Sequence, residues 1–432
     1  MISNENWSLY KLKDVSTYIS RGKQPKYVNH SNIRTLNQKA IQWGEIVEDA
    51  LKFHNPEVNV AEKHFIRKND VVINSTGTGT VGRTYNFKED PPYKLFADSH
   101  VTIVRTDQDV LNSRFLTYQL STRSYQEMIV SSFLAGSTGQ VEFNKSKVES
   151  LPVYVPDIKI QNAIVEVLDS LDSKIEVNKK IIKNLDILSR EIFKHWFIDF
   201  EFPNEQGQPY KSNGGEMVES ELGEIPKGFK VKDLGDIADV KGGKRLPKGE
   251  RIQEEVTNYP YLRVKDFTSK NRLDVNSVCY ISEQAHEKIK NYTIDSNDLF
   301  ISIAGTIGIT GIIPSSFSNA HLTENAAKIT NYKECNKYFI MLFLLSELGK
   351  KQIMSSTVGS TQPKLPLYGI KGLKVCVPTQ NILNDFTEII DKLYLQIETL
   401  ESNIHSLNQI RDTLLPKLLS GEIEMPKELV VE

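Results

Sequence analysis

The sequence has few cysteines and no apolar segment long enough to cross a membrane. Cys279, Cys335 and Cys376 are far apart and form no CxxC pair, so neither a disulfide framework nor a zinc site is indicated. The longest apolar stretch, residues 338–345, is too short to span a bilayer. The start of the chain lacks the basic and then apolar pattern of a secretion signal. We therefore expect a soluble protein in a reducing compartment, the cytoplasm.

An excess of charge of one sign is also missing, because 53 basic and 55 acidic residues leave a formal net charge of −2. Many nucleic-acid-binding proteins carry a basic excess, so the total by itself disfavours that class. The local distribution differs. Residues 241–251 are strongly basic, and Arg21, Lys23 and Lys26 form a smaller basic group. Such clusters are commonly solvated surface, but these two occupy equivalent places in an internal repeat.

Signatures of a reaction centre are absent as well. The eight histidines form no HxH or HExxH pair for a metal. The chain has no GxSxG nucleophile turn, no GxxxxGK[ST] phosphate loop and no nuclease cluster that can be placed. These absences favour a binding protein over an enzyme.

Two stretches nevertheless look like parts of an adenine methyltransferase. Gly77, Gly79 and Gly82 spell GxGxxG after an apolar run, and residues 90–93 spell DPPY. A nucleotide-binding βαβ unit needs about 30 residues, with an acidic residue about 20 positions after the glycines. Gly82 and Asp90 are too close for that helix and second strand, so we interpret the glycines as a turn. A stand-alone adenine methyltransferase is the alternative function.

The chain contains an internal repeat, and a repeat decides the architecture. Five short features recur in the same order and at similar spacings, which chance does not explain. The matched segments are residues 12–23 with 234–244, 69–73 with 297–301, 79–82 with 305–308, 136–140 with 359–362, and 153–157 with 375–379.

Each half of the repeat ends in a long segment without Gly or Pro, within residues 157–202 and 379–415. Apolar residues recur there at steps of three and four, which predicts two long helices with a coiled-coil seam. Asn178 lies in the first seam, where a buried amide fixes register. Two helices of an ordinary bundle are the alternative. The seam residues are Ile164, Leu168, Leu171, Ile175, Ile182 and Leu185, then Phe386, Ile390, Leu393, Ile397, Leu400, Ile404, Leu407 and Leu414.

Before each helix lies a region of roughly 150 residues that mixes short β-branched runs with helical stretches. This mixture is typical of an α+β domain rather than of a regular βαβ alternation. The predicted layout is a domain (1–156), a long helix (157–202), a linker (203–227), a second domain (228–378), a second long helix (379–420) and a tail (421–432).

Two stretches carry a specific resemblance to a known family. Residues 192–200 (IFKHWFIDF), followed by GQPYK at 207–211 and LGEIP at 222–226, resemble the central region of type I restriction-modification specificity subunits. Residues 411–423 (RDTLLPKLLSGEI) resemble their C-terminal signature. The resemblance covers nearly the whole chain. It implies two similar mixed α/β target-recognition domains joined by two long antiparallel coiled-coil helices, in a pseudo-two-fold repeat.

The resemblance also implies function and partners. Each domain would read one half of a split, asymmetric sequence in double-stranded DNA. Two methyltransferase subunits would supply S-adenosylmethionine chemistry, and two restriction subunits would supply translocation and cleavage driven by ATP and magnesium. No cofactor, metal or catalytic residue is then expected in this chain. A coiled-coil scaffold without a nucleic-acid role is a third possibility.

DNA contacts are expected from basic residues on phosphates and from polar loop residues on base edges. For the polar turns, the alternative is a loop that only holds the next strand. Trp196 and Phe197, at the end of the first long helix, would pack either on a partner subunit or inside this chain. The candidate DNA-binding residues are Arg21, Lys23, Lys26, Ser137, Thr138 and Gln140 in the first domain, and Lys241, Lys244, Arg245, Lys248, Ser360, Thr361 and Gln362 in the second.

Overall fold

The structure is a computed structural model that describes residues 7–77, 79–134, 142–267, 271–275, 277–426, 428 and 430. The chain forms two compact units. The first unit comprises the residues up to 177 and those from 404 onward, and the second comprises residues 178–403. The division therefore falls within the two long helices, each of which contributes a segment to both units.

The first unit combines short strands with short helices. Its strands are β1 (Ser8–Lys11), β2 (Ser16–Arg21), β3 (Tyr27–Val28), β4 (Ile33–Leu36), β5 (Ile41–Gln42), β6 (Glu45–Ile46), β7 (Lys52–His54), β8 (Val71–Asn74), β9 (Thr84–Asn86), β10 (Lys94–Ala97), β11 (Val101–Thr106) and β12 (Pro152–Val155). Its helices are α1 (Ser113–Ser121), α2 (Arg123–Met128) and α3 (Lys145–Glu149), followed by the long helix α4 (Ile158–Phe197).

The second unit likewise combines short strands with short helices. Its strands are β13 (Met217–Ser220), β14 (Gly223–Pro226), β15 (Lys230–Asp233), β16 (Asp239–Gly242), β17 (Pro260–Leu262), β18 (Cys279–Tyr280), β19 (Thr293–Ile294), β20 (Leu299–Ser302), β21 (Thr310–Ile312), β22 (Ala320–Leu322), β23 (Ala326–Thr330) and β24 (Lys374–Val377). Its helices are α5 (Leu234–Ile237), α6 (Glu283–Ile289), α7 (Lys337–Leu345), α8 (Glu347–Ser355), α9 (Leu367–Lys371) and the long helix α10 (Gln380–Ser420).

The sheet topology repeats between the units. An antiparallel sheet has the order β2-β11-β8-β9 in the first unit and β16-β23-β20-β21 in the second. A second sheet contains one parallel pair in each unit, β4 with β10 and β17 with β22. The strand before each long helix pairs antiparallel with the first strand of its domain, β12 with β1 and β24 with β15. The predicted α+β fold with an internal repeat is confirmed.

Strand β8 shows why the central sheet needs apolar residues on both faces. Val71 and Ile73 pack into the core that also contains Phe115 of α1 and Ile164 of α4. Val72 points to the opposite face and packs into a second core around Leu36. Side chains alternate along a strand, so a strand covered on both faces is continuously apolar, as the sequence Val-Val-Ile indicates.

The two long helices pack against each other within each unit. In the first unit, Leu168 of α4 and Leu418 of α10 share one core, and Asp172 lies 3.2 Å from a guanidinium nitrogen of Arg411. In the second unit, residues with increasing numbers along α4 contact residues with decreasing numbers along α10. The pairs there are Asp186 with Glu401 through Arg272, Ser189 with Tyr394, and Phe193 with Phe386. The helices are antiparallel, as predicted.

The seam follows the predicted steps of three and four, but its predicted residues differ in burial, and the half-buried ones include Leu171, Leu185, Leu400, Ile404, Leu407 and Leu414. Ile175, Asn178 and Ile182 of α4 are buried. In α10 the buried residue is Tyr394 rather than the predicted Leu393, which is only half-buried. Tyr394 stacks on Tyr338 of α7 at 4.5 Å between ring centroids. Packing against the neighbouring domain helix therefore selects which of the two adjacent residues enters the interior.

An aromatic cluster ends α4 inside this chain. Trp196 and Phe197 are buried, and both rings contact Phe386 of α10, with centroids 5.8 and 4.8 Å away. Phe339 of α7 completes the cluster. Full burial of one such side chain stabilises the fold by about 1.5–3 kcal/mol. Of the two possibilities, packing on a partner subunit or inside this chain, the structure therefore shows that Trp196 and Phe197 pack inside the chain.

The segment that we predict as a linker has a defined local structure. It contains the hairpin of β13 and β14. Phe202 stacks between Tyr210 and Phe229, with centroids 4.6 and 5.2 Å away. Within the part of the chain that the structure describes, no helix is long and apolar enough to cross a membrane.

Candidate nucleic-acid interface

The first basic group lies at the end of β2, on a close backbone crossing. The Gly22 N–H donates to the carbonyl oxygen of Val101, at 2.9 Å, and the Lys23 N–H donates to that of Ala97, at 3.0 Å. A Cβ on Gly22 would lie 1.9 Å from the Ala97 oxygen, so only glycine fits. The crossing exposes the side chain of Lys23.

The second unit repeats this crossing at the end of β16. The Gly243 N–H donates to the carbonyl oxygen of Ala326, at 2.9 Å, and the Lys244 N–H donates to that of Leu322, at 2.8 Å. A Cβ on Gly243 would lie 2.1 Å from the carbonyl oxygen of Thr323. Lys23 and Lys244 therefore occupy the same position of the repeated frame, and both side chains are exposed.

The end of a further strand also lies at each crossing, β8 in the first unit and β20 in the second. In the first unit the Ser75 N–H donates to the carbonyl oxygen of His100, at 2.8 Å. In the second the Ile303 N–H donates to that of Asn325, also at 2.8 Å. We call these regions the strand-end surfaces. They consist of Lys23, Gln24, Thr76, Ser99 and His100 in the first unit, and of Lys244, Arg245, Ala304, Glu324 and Asn325 in the second.

The strand-end surface of the first unit carries uncharged polar groups linked by hydrogen bonds. The Ser99 hydroxyl donates to Oε1 of Gln24, at 2.9 Å. The Thr76 hydroxyl donates to Oε1 of Gln38, at 3.0 Å, and lies 2.9 Å from Nδ1 of His100. These side chains are half-buried or exposed, so they are anchored at one end and accessible at the other.

The strand-end surface of the second unit has an ion pair at the matching place. Nε of Arg245 lies 2.7 Å from Oε1 of Glu324, and 80% of the Arg245 side chain is exposed. Burial would raise the pKa of Glu324, but the hydrogen bond from Arg245 and those within residues 323–324 lower it overall. Nζ of Lys244 lies 5.3 Å from the centre of the Tyr292 ring, a cation–π contact that orients the lysine.

The other predicted basic residues differ in their availability. Arg21 is half-buried and forms an ion pair with Glu142, so its charge is already compensated. Lys26 is exposed, and its N–H donates to Nδ1 of His54 at 3.0 Å. Lys241 on β16 and Lys248 are exposed.

The predicted polar turn of the second unit is an exposed loop beside its strand-end surface. Val358 and Lys364 exchange two backbone hydrogen bonds, of 2.8 and 2.9 Å, which close the loop that carries Ser360, Thr361 and Gln362. Lys364 also bridges to Ala304. The matched residues Ser137, Thr138 and Gln140 lie outside the described residues.

Sequence reasoning did not identify Ser99, His100, Glu324 and Asn325. The available signal was a short polar segment between two apolar strands in each repeat, at 98–100 and 323–325. Such segments are ordinary turns in most proteins. Only the pairing of the strands places these turns beside the basic groups.

The GxGxxG stretch is a hairpin turn. Gly77, Gly79 and Gly82 have φ of 99°, 77° and 84°, and the Gly82 N–H donates to the carbonyl oxygen of Asn74 at 2.9 Å. The turn joins β8 to β9, which pair antiparallel. A nucleotide-binding motif joins a strand to a helix, so this geometry contradicts the alternative of a methyltransferase.

The DPPY stretch lies on the surface and is held by structural hydrogen bonds. Oδ1 of Asp90 accepts from the Lys68 N–H at 2.8 Å, and Asp90 is exposed. The Tyr93 hydroxyl donates to Glu48 at 2.6 Å. Burial and the Glu48 carboxylate raise the pKa of Tyr93 to about 12. Among the described residues, no three His, Cys, Asp or Glu side chains are placed to hold a metal ion.

Comparisons with known proteins agree with the repeat. Residues 4–186 and 226–409 each match the type I restriction modification DNA specificity domain. The type I restriction enzyme MjaIX specificity subunit of Methanocaldococcus jannaschii is 31% identical over 323 residues, which cover 74% of this chain and 71% of that protein. The HindI specificity subunit of Haemophilus influenzae is 23% identical, over 97% of this chain and 100% of that protein.

A solved structure shares the fold. The crystal structure of the type I restriction-modification system S subunit from M. genitalium aligns with a TM-score of 0.54 and 17% identity, over 97% of each chain.

Proposed function

The chain belongs to the type I restriction-modification DNA specificity family, and from this premise we propose that each unit reads one half of a split, asymmetric sequence in double-stranded DNA. As a specificity subunit it is the non-catalytic, DNA-recognising member of such a system. The function of a stand-alone methyltransferase is excluded by this membership and by the hairpin at Gly82.

The main support for the two-site proposal is that both units contain the same backbone crossing but present different side chains beside it. Gly22-Lys23 and Gly243-Lys244 make the same backbone hydrogen bonds. The residue after each lysine is held by an uncharged partner in one unit, Gln24 by Ser99, and by an ion pair in the other, Arg245 with Glu324. A shared frame with different surface chemistry suits two half-sites of different sequence, because base edges are discriminated by side-chain donors and acceptors.

We assign the basic candidates other than Arg245 to phosphates and the polar candidates to base edges. Phosphate contacts position a protein on DNA without reading sequence. Exposure supports this role for Lys23, Lys26, Lys241, Lys244 and Lys248, whereas the ion pair with Glu142 makes Arg21 the weakest candidate. Ser137, Thr138 and Gln140 belong to the proposal through their match to the exposed loop of Ser360, Thr361 and Gln362.

The proposed partners follow from family membership. We propose that the chain assembles with two methyltransferase subunits, which use S-adenosylmethionine, and two restriction subunits, which use ATP and magnesium. We propose recognition domains at 1–156 and 228–378, with residues 203–227 linking them. A cytoplasmic location suits the three cysteines, which are free thiols.

The test is to co-express the chain with a methyltransferase subunit of the same system and to map methylated adenines across the genome. We expect a motif of two short halves separated by an unspecified gap. Replacing residues 1–150 by the same region of a related subunit should change one half only. A contiguous motif, no methylation, or a change in both halves would contradict the proposal.

A further inference from the structure

Gln24 and Arg245 occupy the same position of the two units. Each directly follows the matched lysine, Lys23 or Lys244, whose N–H donates to the strand across the crossing. Both side chains are exposed. At this equivalent surface position, one unit therefore has an amide, Gln24, and the other has a guanidinium, Arg245.

The neighbours of these two residues also correspond. Ser99 lies two residues after Ala97, the acceptor of the Lys23 N–H, and Glu324 lies two residues after Leu322, the acceptor of the Lys244 N–H. Ser99 donates to the Gln24 amide oxygen at 2.9 Å, and Glu324 accepts from Nε of the Arg245 guanidinium at 2.7 Å. In both units the second residue thus holds the first in place.

The alternative is a purely structural role, in which these are ordinary surface contacts that stabilise the fold. Exposed ion pairs contribute little to stability, and the Arg245 side chain is 80% exposed. Stability gives no reason for a neutral pair in one unit and an ionic pair at the same place in the other. Sequence discrimination does, because residues that are identical in both units cannot distinguish two different half-sites.

We propose that Gln24 and Arg245 are base-reading residues and that Ser99 and Glu324 are positioning residues that orient them. This inference rests on the proposed function and names the side chains that distinguish the two half-sites. A glutamine amide pairs with N6 and N7 of adenine, and a guanidinium pairs with O6 and N7 of guanine. Glu324 contacts Arg245 through Nε, so the two terminal nitrogens are the pair that addresses guanine.

The experiment exchanges the pair between the units. In the complex with the methyltransferase subunits, R245Q with E324S gives the second unit the side chains of the first. Bound duplexes are selected from a randomised pool and sequenced, and methylated adenines are mapped in cells. We expect one position of one half-site to lose its guanine preference by about 5- to 150-fold and to favour adenine. The other half-site should be unchanged.

The matched control is E347S with K350Q, which likewise replaces the acid by serine and the cation by glutamine in an exposed ion pair on α8, where the two groups are 2.9 Å apart. The control should keep the wild-type sequence preference. The reciprocal variant, Q24R with S99E, should change one position of the opposite half-site from adenine to guanine.

The outcomes separate the inference from the proposed function. If wild-type complex selects no split sequence, the proposed function itself is wrong. If it does, but both folded exchange variants keep the wild-type preference, or bind every sequence more weakly without a change in preference, the base-reading assignment is overturned. Should R245Q with E324S fail to fold, Arg245→Lys alone is decisive, because lysine keeps the charge but lacks the guanidinium fork. An unchanged guanine preference in that variant also overturns the assignment.

Discussion

Asp70 and Arg105 form a bidentate ion pair in the interior of the first unit. Oδ1 of Asp70 lies 2.7 Å from Nε of Arg105, and Oδ2 lies 3.1 Å from a terminal nitrogen. Only 1% of Asp70 is exposed. The matched Asp298 pairs with Lys328, at 2.7 Å. Each aspartate immediately precedes a buried central strand, and a cation from the neighbouring strand compensates its charge.

Replacing Arg105 by Met should destabilise the first unit by about 3–5 kcal/mol at neutral pH, because it leaves a buried carboxylate without its partner. Burial raises the pKa of Asp70, and the bonds from Arg105 oppose that rise. Without Arg105 the pKa rises further, so the loss should shrink as the pH falls and the carboxyl is protonated. Urea unfolding at pH 7 and pH 4 measures both effects. The control, D70N with R105M, should be less destabilised than R105M alone. Equal losses at both pH values would contradict this account.

His321 should make the second unit sensitive to acid. The side chain is fully buried, and its Nε2 lies 2.8 Å from Nδ1 of His286. Burial, with a smaller effect from His286, lowers the pKa of His321 to about 4. Because the pKa is lower in the folded state, the unfolded state binds more protons. Stability is therefore complete above about pH 6.5 and declines as the pH falls toward 4.

The expected loss from His321 over that range is about 1–3 kcal/mol. Urea unfolding between pH 7.5 and pH 4.5 measures it. His321→Asn cannot take up the proton, so its unfolding free energy should change less over the same interval. If the variant and the wild type have parallel pH profiles, His321 is not the titrating group.

Lys244→Ala should weaken DNA binding by a similar factor for every sequence. Each phosphate contact contributes about 0.9 to the slope of log K against log salt concentration, so the slope should flatten by about one. Fluorescence anisotropy at several salt concentrations measures this slope. The same result is expected for Lys241 and Lys248. Lys350→Ala on α8 is the control with an unchanged slope. An unchanged slope for Lys244→Ala would assign that lysine to solvated surface.

Asp90→Ala should leave methylation by the assembled complex largely intact. The carboxylate is exposed and accepts a backbone hydrogen bond from Lys68, so its loss should cost no more than about 0.5–1.5 kcal/mol. Methylation is measured on a duplex that contains the recognised sequence, with Tyr93→Phe as a companion variant. Loss of methylation while DNA binding and assembly persist would restore a catalytic role to the DPPY stretch.

The repeat and the long helices could be predicted because their signals are local or periodic. Matched strand, turn and glycine residues recur in order, and a step of three and four between apolar residues specifies a helix whatever lies beside it. Gly22 could be matched to Gly243 by sequence. Why glycine is required there could not be predicted, because the backbone oxygen that would lie 1.9 Å from a Cβ belongs to the crossing strand.

The two-part plan, the α+β class and the family follow from local and periodic signals along the chain. Which residues share a surface depends on how distant strands pair. Gln24 and Ser99 are 75 positions apart, and Arg245 and Glu324 are 79 apart. They meet only because β10 and β22 pair parallel with β4 and β17 and end at the crossings. The tertiary structure also placed Tyr394 rather than Leu393 in the seam. The spacing of apolar residues specifies the buried face of a helix to within one residue, whereas packing against α7 determines which of the two adjacent residues is buried.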